Sequence, residues 1–322
     1  MDKVNKVNVP VALIIFNRPE MTEKVFEVIR RVRPGQLFII ADGPRDDTPS
    51  DVALCRAARA VFDKVDWPCE QHRNFSDDNM GCGKRPVSGI SWVFEHVDKA
   101  IILEDDCLPH PTFFQFCEEL LYRYQDDQRI MHIAGYNRGI SRNKGNYSYF
   151  FSKLPLCWGW ATWRRAWCHF DFDINHFEDI RAQGLFDGLL GERHSERFWE
   201  KRFESLKQSA RVDIWDFQWD FACWIQSGLA IVPNVNLVRN IGLGQDATHT
   251  KELDLRVIEL HEKAIVFPLN HPPYMIRDTK LDRSIFRDIE NGFFHRNLSL
   301  LIRILKKVRY LFNLNGLSKG SQ

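Results

Sequence analysis

The stretch Ala100-Ile101-Ile102-Leu103-Glu104-Asp105-Asp106-Cys107-Leu108-Pro109 runs four apolar residues into three consecutive carboxylates. A short, continuous apolar run predicts a strand buried on both faces, as in a parallel sheet, because a half-solvated strand would alternate. Glu104, Asp105 and Asp106 then emerge together at the strand's carboxyl end, where open α/β sheets place their ligands. Two carboxylates about 4 Å apart repel by about 4 kcal/mol at an effective dielectric of 20. A divalent cation relieves that repulsion, and hard oxygen donors suit magnesium or manganese. The alternative for Asp106 is a cap on the following helix, predicted over Pro111 to Arg123, with its neighbours solvated.

Upstream, strands and helices alternate. Val9 to Phe16 reads as a first strand ending at Asn17-Arg18-Pro19, and proline suits a first helical position. Val25, Phe26, Ile29 and Val32 give the next helix one apolar face. Pro34-Gly35 turns into a second strand, Gln36 to Ala41, which ends at Asp42-Gly43-Pro44-Arg45. Ser50 or Asp51 can cap a helix through Phe62, and Trp67 to His72 reads as an extended edge. A loop with Gly81 and Gly83 precedes a helix with Ile90, Val93, Phe94 and Val97 on one side. This alternation predicts a layered, mostly parallel sheet. Three strand ends in a row deliver polar groups: Arg18, Asp42 and the acidic cluster. A nucleotide-binding crevice needs such a concentration of charge at one sheet edge, and a purely structural protein does not.

Downstream the pattern changes. Ile130 to Ala134 reads as another strand, and Leu156 to Trp167 as a core helix flanked by a loop around Gly159. Arg193 to Ser209 is a charged helix, and Asp216 and Asp220 fall on one helical face ahead of Phe221 to Gln226. Ile231 to Pro233 is a short strand, and Asn240 to Thr250 a Gly-rich loop with Asp246 and His249. Beyond Asp254 the chain turns basic. Leu298, Leu301, Leu305, Val308 and Phe312 form a stripe among Arg303, Lys306, Lys307 and Arg309. Such a basic amphipathic helix suits a membrane surface, and equally a domain or partner chain.

A chain of 322 residues can bury a large core, and a net charge of +1 gives no reason to expect nucleic acid. None of the eight cysteines forms a CxxC pair, so reduced thiols in a cytoplasmic protein are the economical reading. The run Val9 to Phe16 is too short to span a bilayer and lacks a small-residue cleavage site. Eight of the ten tryptophans lie between Trp158 and Trp224, a composition that suits sugar-facing pockets as well as plain cores.

Taken together, Ile15-Phe16-Asn17-Arg18-Pro19, Ala41-Asp42-Gly43-Pro44-Arg45, Leu103-Glu104-Asp105-Asp106, Trp158-Gly159-Trp160, Trp215-Asp216-Phe217-Gln218-Trp219 and Asp246-Ala247-Thr248-His249-Thr250 resemble a known order of motifs. It is that of nucleotide-sugar-dependent glycosyltransferases of the GT-A fold, bacterial type, distantly similar to the N-acetylglucosaminyltransferase I group. The resemblance spans about Val9 to Thr250. It implies an α/β GT-A domain over 1–253, with helices on both faces of a mostly parallel sheet; the helical extension over 254–322, read from its basic amphipathic stripe, lies outside the resemblance. It also implies Asn17 in the nucleotide-sugar site, Arg18 and Asp42 on the nucleoside, and Asp105 or Glu104 on the ribose or donor sugar. Asp106 would bind Mn2+ or Mg2+, with His249 approaching the metal or the phosphates, and Gly159 would face donor sugar and acceptor. Asp216 would be the catalytic base.

The expected partners are therefore a nucleotide-sugar donor and a glycan or lipid-linked glycan acceptor, with the basic helix at the inner face of a membrane. Two other classes remain open. A sugar-phosphate nucleotidyltransferase would share crevice and metal but should carry a Gly-rich basic loop after its first strand, which Phe16-Asn17-Arg18-Pro19 is not. A non-catalytic carbohydrate-binding protein would need neither the acidic strand end nor Asp216.

Overall fold

The computed structural model describes residues 6–140, 146–208, 213–243 and 260–290. Its first half is β1 (Val11–Ile15), α1 (Pro19–Val32), β2 (Gln36–Ala41), α2 (Ser50–Ala60), β3 (Glu70–Phe75), α3 (Gly81–His96) and β4 (Lys99–Glu104). There follow β5 (Cys107–Pro109), α4 (Thr112–Arg123), β6 (Ile130–Ala134), β7 (Tyr149–Ser152), β8 (Trp160–Trp163), α5 (Arg164–Trp167) and α6 (Phe177–Ala182). The rest is α7 (Arg193–Gln208), α8 (Asp216–Ile225), β9 (Leu229–Pro233), β10 (Val238–Asn240) and a helical segment at 279–290.

Eight strands form one sheet in the order β3-β2-β1-β4-β8-β6-β9-β7, and β10 pairs with β5 in a two-stranded ribbon. Only β8 and β7 run against the rest, so this is a mixed α/β protein with a mostly parallel sheet. Successive side chains of a strand face opposite sides, and both sides are covered. Val11, Leu13, Ile15, Leu37, Ile39, Ile101 and Leu103 pack with Val25, Phe26 and Ile29 of α1 and the phenylalanines of α4. Ala12, Ile14, Phe38, Ile40, Ala100 and Ile102 pack with Ile90, Val93 and Phe94 of α3 and the aromatics of α7 and α8. The continuous apolar runs follow directly, because each residue of these strands is buried on one side or the other.

Three expectations need correction. Trp160–Trp163 is not a core helix but an antiparallel strand between β4 and β6. The edge strand begins at Glu70 rather than Trp67, where its pairing with Gln36 of β2 starts. Neither Ser50 nor Asp51 caps α2 through its side chain. Asp51 instead reaches across to Asn17 and Arg45, 2.7 Å from each. The described part of the C-terminal extension lies on the sheet. Tyr149 Oη meets His271 Nδ1 at 3.0 Å, Ser152 Oγ donates to Asp282 at 2.6 Å, and Ile285 and Phe286 are buried.

Two contacts fix how helices sit on the sheet, and each makes a prediction. A Cβ at Gly89 of α3 would lie 2.4 Å from Ile40 Cγ2. Overpacking of this kind costs about 1–3 kcal/mol, so Gly89→Ala should lower the unfolding free energy read from urea by that amount, and the midpoint with it, despite its better helix propensity. An unchanged midpoint would contradict this packing.

The second contact holds α8. Trp219 Nε1 donates to His132 Nδ1 at 3.2 Å, and the other ring nitrogen of His132 faces the Leu156 carbonyl, also at 3.2 Å. An indole can only donate and a carbonyl only accept, so the imidazole is neutral with its proton on Nε2. Burial lowers its pKa from 6.5 to about 3. Within that window the unfolded chain binds a proton that the folded one refuses, so stability drops as pH falls, by up to about 1.4 kcal/mol per unit. The deficit of His132→Gln against the parent protein, read from urea unfolding, should therefore shrink between pH 7.5 and pH 5. An equal deficit at both would refute the neutral buried ring.

Candidate active site

The chain leaves β1 for β2 and β3 on one side, then returns through α3 to place β4 on the other. The carboxyl ends of β1 and β4 thus flank a topological switch point, the position where open α/β sheets bind ligands. From β1 come Phe16, Asn17 and Arg18, and from β4 come Glu104, Asp105 and Asp106.

The three carboxylates differ in what they touch. Asp105 is buried, takes the Phe16 N–H at 3.1 Å on Oδ2, and meets Arg18 Nη1 at 3.3 Å on Oδ1. It joins the ends of β1 and β4. Asp106 has more exposed side chain than Asp105, 15% against 8%, and Oδ2 accepts from Arg18 Nη1 at 2.9 Å. The β10 end closes over it. Its carbonyl takes the Ile241 N–H at 2.7 Å, and a Cβ on Gly242 would lie 2.4 Å from its Oδ2. Glu104 is half-buried. Desolvation, then the charges of Asp106, Asp105 and Asp216, raise its pKa. Desolvation and Asp106 likewise raise Asp105, while Arg18 opposes the shift.

Asp216 opens α8 across the crevice, close enough to act on Glu104, and its Oδ1 takes the Phe217 N–H at 3.1 Å. One turn on, Asp220 is buried, and desolvation followed by the charge of Asp216 holds its carboxyl well above the usual range. The two carboxylates therefore differ in burial: Asp220 is enclosed, and Asp216 at the helix start is the more exposed. Trp215 stacks on Trp160 with ring centres 5.7 Å apart, and Trp219 is held by His132, so both flanks of Asp216 are fixed.

The other residues singled out from the sequence are engaged differently. Asp42 is buried, and its oxygens accept the N–H groups of Gly43, Met80 and Gly81 and the Asn79 amide. Arg18 meets Asp105 and Asp106. Asn17 holds Asp51, which also pairs with Arg45, and the Arg45 guanidinium lies over the Phe16 ring at 5.6 Å. Gly159 has φ +65° and packs so tightly that a Cβ would lie 2.7 Å from Val238 and 3.2 Å from Leu103. It shapes the wall beside Glu104. His249 and the basic stripe from Leu298 to Phe312 lie outside the described residues.

Asp213 was missed. Its carboxylate takes the Cys82 N–H at 2.9 Å and the Gly83 N–H at 2.6 Å. Two glycines at a helix start are a signal for an anion on the helix N-terminus, though nothing local names that anion.

As a metal site the donor set fits a hard cation: carboxylate oxygens under mutual repulsion and desolvation. Among the described residues no group of three or more His, Cys, Asp or Glu forms a ready cage, and no helix is long and apolar enough to cross a membrane.

No protein-family model matches the chain, and no curated protein does. Solved structures do, among them UDP-glucose pyrophosphorylase complexed with UDP-glucose. It has a TM-score of 0.35 and 10% identity, over 72% of this chain and 93% of that one. At that distance the likeness decides nothing about chemistry.

Proposed function

We propose that this protein is a metal-dependent, inverting GT-A-type glycosyltransferase. It would move a sugar from a nucleoside-diphosphate sugar, of the UDP class, to a hydroxyl of a glycan or glycolipid. The observation that carries this reading is the meeting of Glu104, Asp105 and Asp106 at the switch point with Asp216 on the facing helix. Asp106, the most open of the three, with Glu104 beside it, would hold Mn2+ or Mg2+, which commonly completes its shell with water and substrate phosphates. When bound, the ion supplies charge neutralisation for the departing diphosphate.

The chain's own residues supply the rest. Asp216 takes the proton of the acceptor hydroxyl as its oxygen bonds to the anomeric carbon and the carbon–oxygen bond to the diphosphate breaks. Arg18 places a permanent positive charge at the acidic end of the crevice. Asp105 keeps the two strand ends at fixed separation, which is the orientation part of catalysis.

Incubating the protein with a panel of nucleotide sugars and glycan acceptors, with and without manganese, should release nucleoside diphosphate only when metal is present. A sugar-phosphate nucleotidyltransferase would use the same crevice and ion, and pyrophosphate separates the two. Formation of nucleoside triphosphate and sugar 1-phosphate would replace the transferase reading.

A further inference from the structure

The start of α3 is satisfied from outside the helix. Met80 and Gly81 give their N–H groups to Asp42 at 2.9 and 3.0 Å, and Cys82 and Gly83 give theirs to Asp213 at 2.9 and 2.6 Å. These are the donors a helix N-terminus leaves unpaired, and the helix dipole favours an anion there. The first carboxylate comes from 39 residues away at most, and the second from 131.

Asp213 is three residues before Asp216, and only Ile214 and Trp215, outside any helix or strand, separate it from the first residue of α8. The fit is close. A Cβ on Gly83 would lie 2.8 Å from Asp213 Oδ1 and 3.0 Å from the Ile214 nitrogen. The Ile214 carbonyl in turn accepts from Gln218 at 3.1 Å, inside α8. Cys82 adds a third tie, its Sγ 2.9 Å from the Asp213 carbonyl and 3.3 Å from Oδ2.

We infer that Asp213 is the positioning residue for Asp216: its carboxylate, seated in the anion-binding start of α3, fixes the first turn of α8 over the crevice. The role rests on Asp216 being the base of the transfer proposed above. Asp213 touches no reacting atom. It acts by joining the helix behind the switch point to the helix in front of it. The pair Gly81 and Gly83 exists to admit it, since any side chain at either position would strike its oxygens.

The test compares Asp213→Ala and Gly83→Ala with the parent protein, the first removing the carboxylate and the second its seat. Both should bind UDP with unchanged affinity by calorimetry and keep the donor KM within about twofold, while kcat falls about tenfold or more, since misplacement by 1 Å can cost about a hundredfold. Formate should restore part of the kcat of Asp213→Ala by refilling the seat, and should do nothing for the parent or for Gly83→Ala.

A second readout needs no activity. Burial and Asp213 push the Cys82 thiol up to about 12. Without the carboxylate the thiol loses the negative charge beside it and keeps its contact with the residue-213 carbonyl, so its alkylation at pH 8, followed by peptide mass spectrometry, should accelerate about tenfold, the thiolate gain for one pKa unit.

An active parent whose two variants keep kcat overturns the positioning role while leaving the transferase reading intact. Loss of UDP binding together with kcat also overturns it, by making Asp213 a general structural support. Unchanged Cys82 reactivity in Asp213→Ala removes the seat itself. A parent inert with every donor removes the transferase reading first, and the role of Asp213 in transfer with it.

Discussion

Asp106→Asn is expected to weaken manganese-supported UDP binding by at least about a hundredfold while leaving the thermal midpoint nearly unchanged. Unit charges 4 Å apart at an effective dielectric of 20 interact by about 4 kcal/mol, and a hundredfold corresponds to about 2.7. The estimate is thus conservative for a divalent ion. Asp106 is the carboxylate to test because its side chain is the more open of the pair that Arg18 bridges. Asp105→Asn should behave in the opposite way. Asp105 is buried, carries the Phe16 N–H and answers Arg18, so its loss should lower the midpoint first. The amide oxygen can still take the Phe16 N–H, but the charge that answers Arg18 is lost, and a hydrogen bond to a charged group is worth about 1.5–3 kcal/mol. Calorimetry with UDP, with and without manganese, on both variants separates the roles. Equal UDP affinity with and without manganese in the parent protein would remove the metal assignment altogether.

How far this site was readable from residues alone depends on range. The strands at Val11–Ile15, Gln36–Ala41 and Lys99–Glu104 announce themselves, because burial on both faces leaves no room for polar residues. Trp160–Trp163 does not. Trp-Ala-Thr-Trp is too short to show a period, and aromatic-rich runs of that length fit a buried helix as well as a strand. Its direction depends on a partner, Lys99–Ile102, some sixty residues earlier. The edge strand was misplaced for the opposite reason. Glu-Gln-His-Arg-Asn-Phe is polar in all but its last residue, and what anchors it is His72 stacked on Phe38 with ring centres 4.3 Å apart.

The acidic cluster was readable because three adjacent carboxylates cannot avoid one another. Asp42 was readable as a polar group at a strand end, but its hold on the start of α3 was not, and Asp213 was missed altogether, because a carboxylate over a distant helix start looks, in sequence, like any other polar loop residue. Both lie beside the crevice, and both serve the same helix. The chemistry is thus carried by residues close in sequence, and its alignment by residues far apart.

The largest kinetic effect should come from Asp216→Asn: transfer lost by at least about a hundredfold, the low end for removing a general base. UDP and manganese binding should stay as in the parent, because Asp216 belongs to α8 rather than to the β4 end that carries Asp106, and its Oδ1 takes the neighbouring Phe217 N–H. The amide that replaces it can still take the Phe217 N–H, so the helix start survives and the loss is chemical. Asp220→Asn is the informative control. Burial and the charge of Asp216 push the pKa of that carboxyl upward, toward its neutral form, so an amide there is the milder change and should leave most of the activity. If Asp220→Asn were dead and Asp216→Asn active, the base would be the buried carboxyl one turn further along, which would have to lose its proton only in the complex. The stereochemistry tests both at once. One base facing the departing diphosphate implies a single in-line displacement, which inverts the anomeric centre, and the anomeric coupling in the product's NMR spectrum reads that directly. Retention would require a carboxylate nucleophile and a covalent sugar–enzyme intermediate, and would overturn the role of Asp216 as base whichever aspartate proved essential.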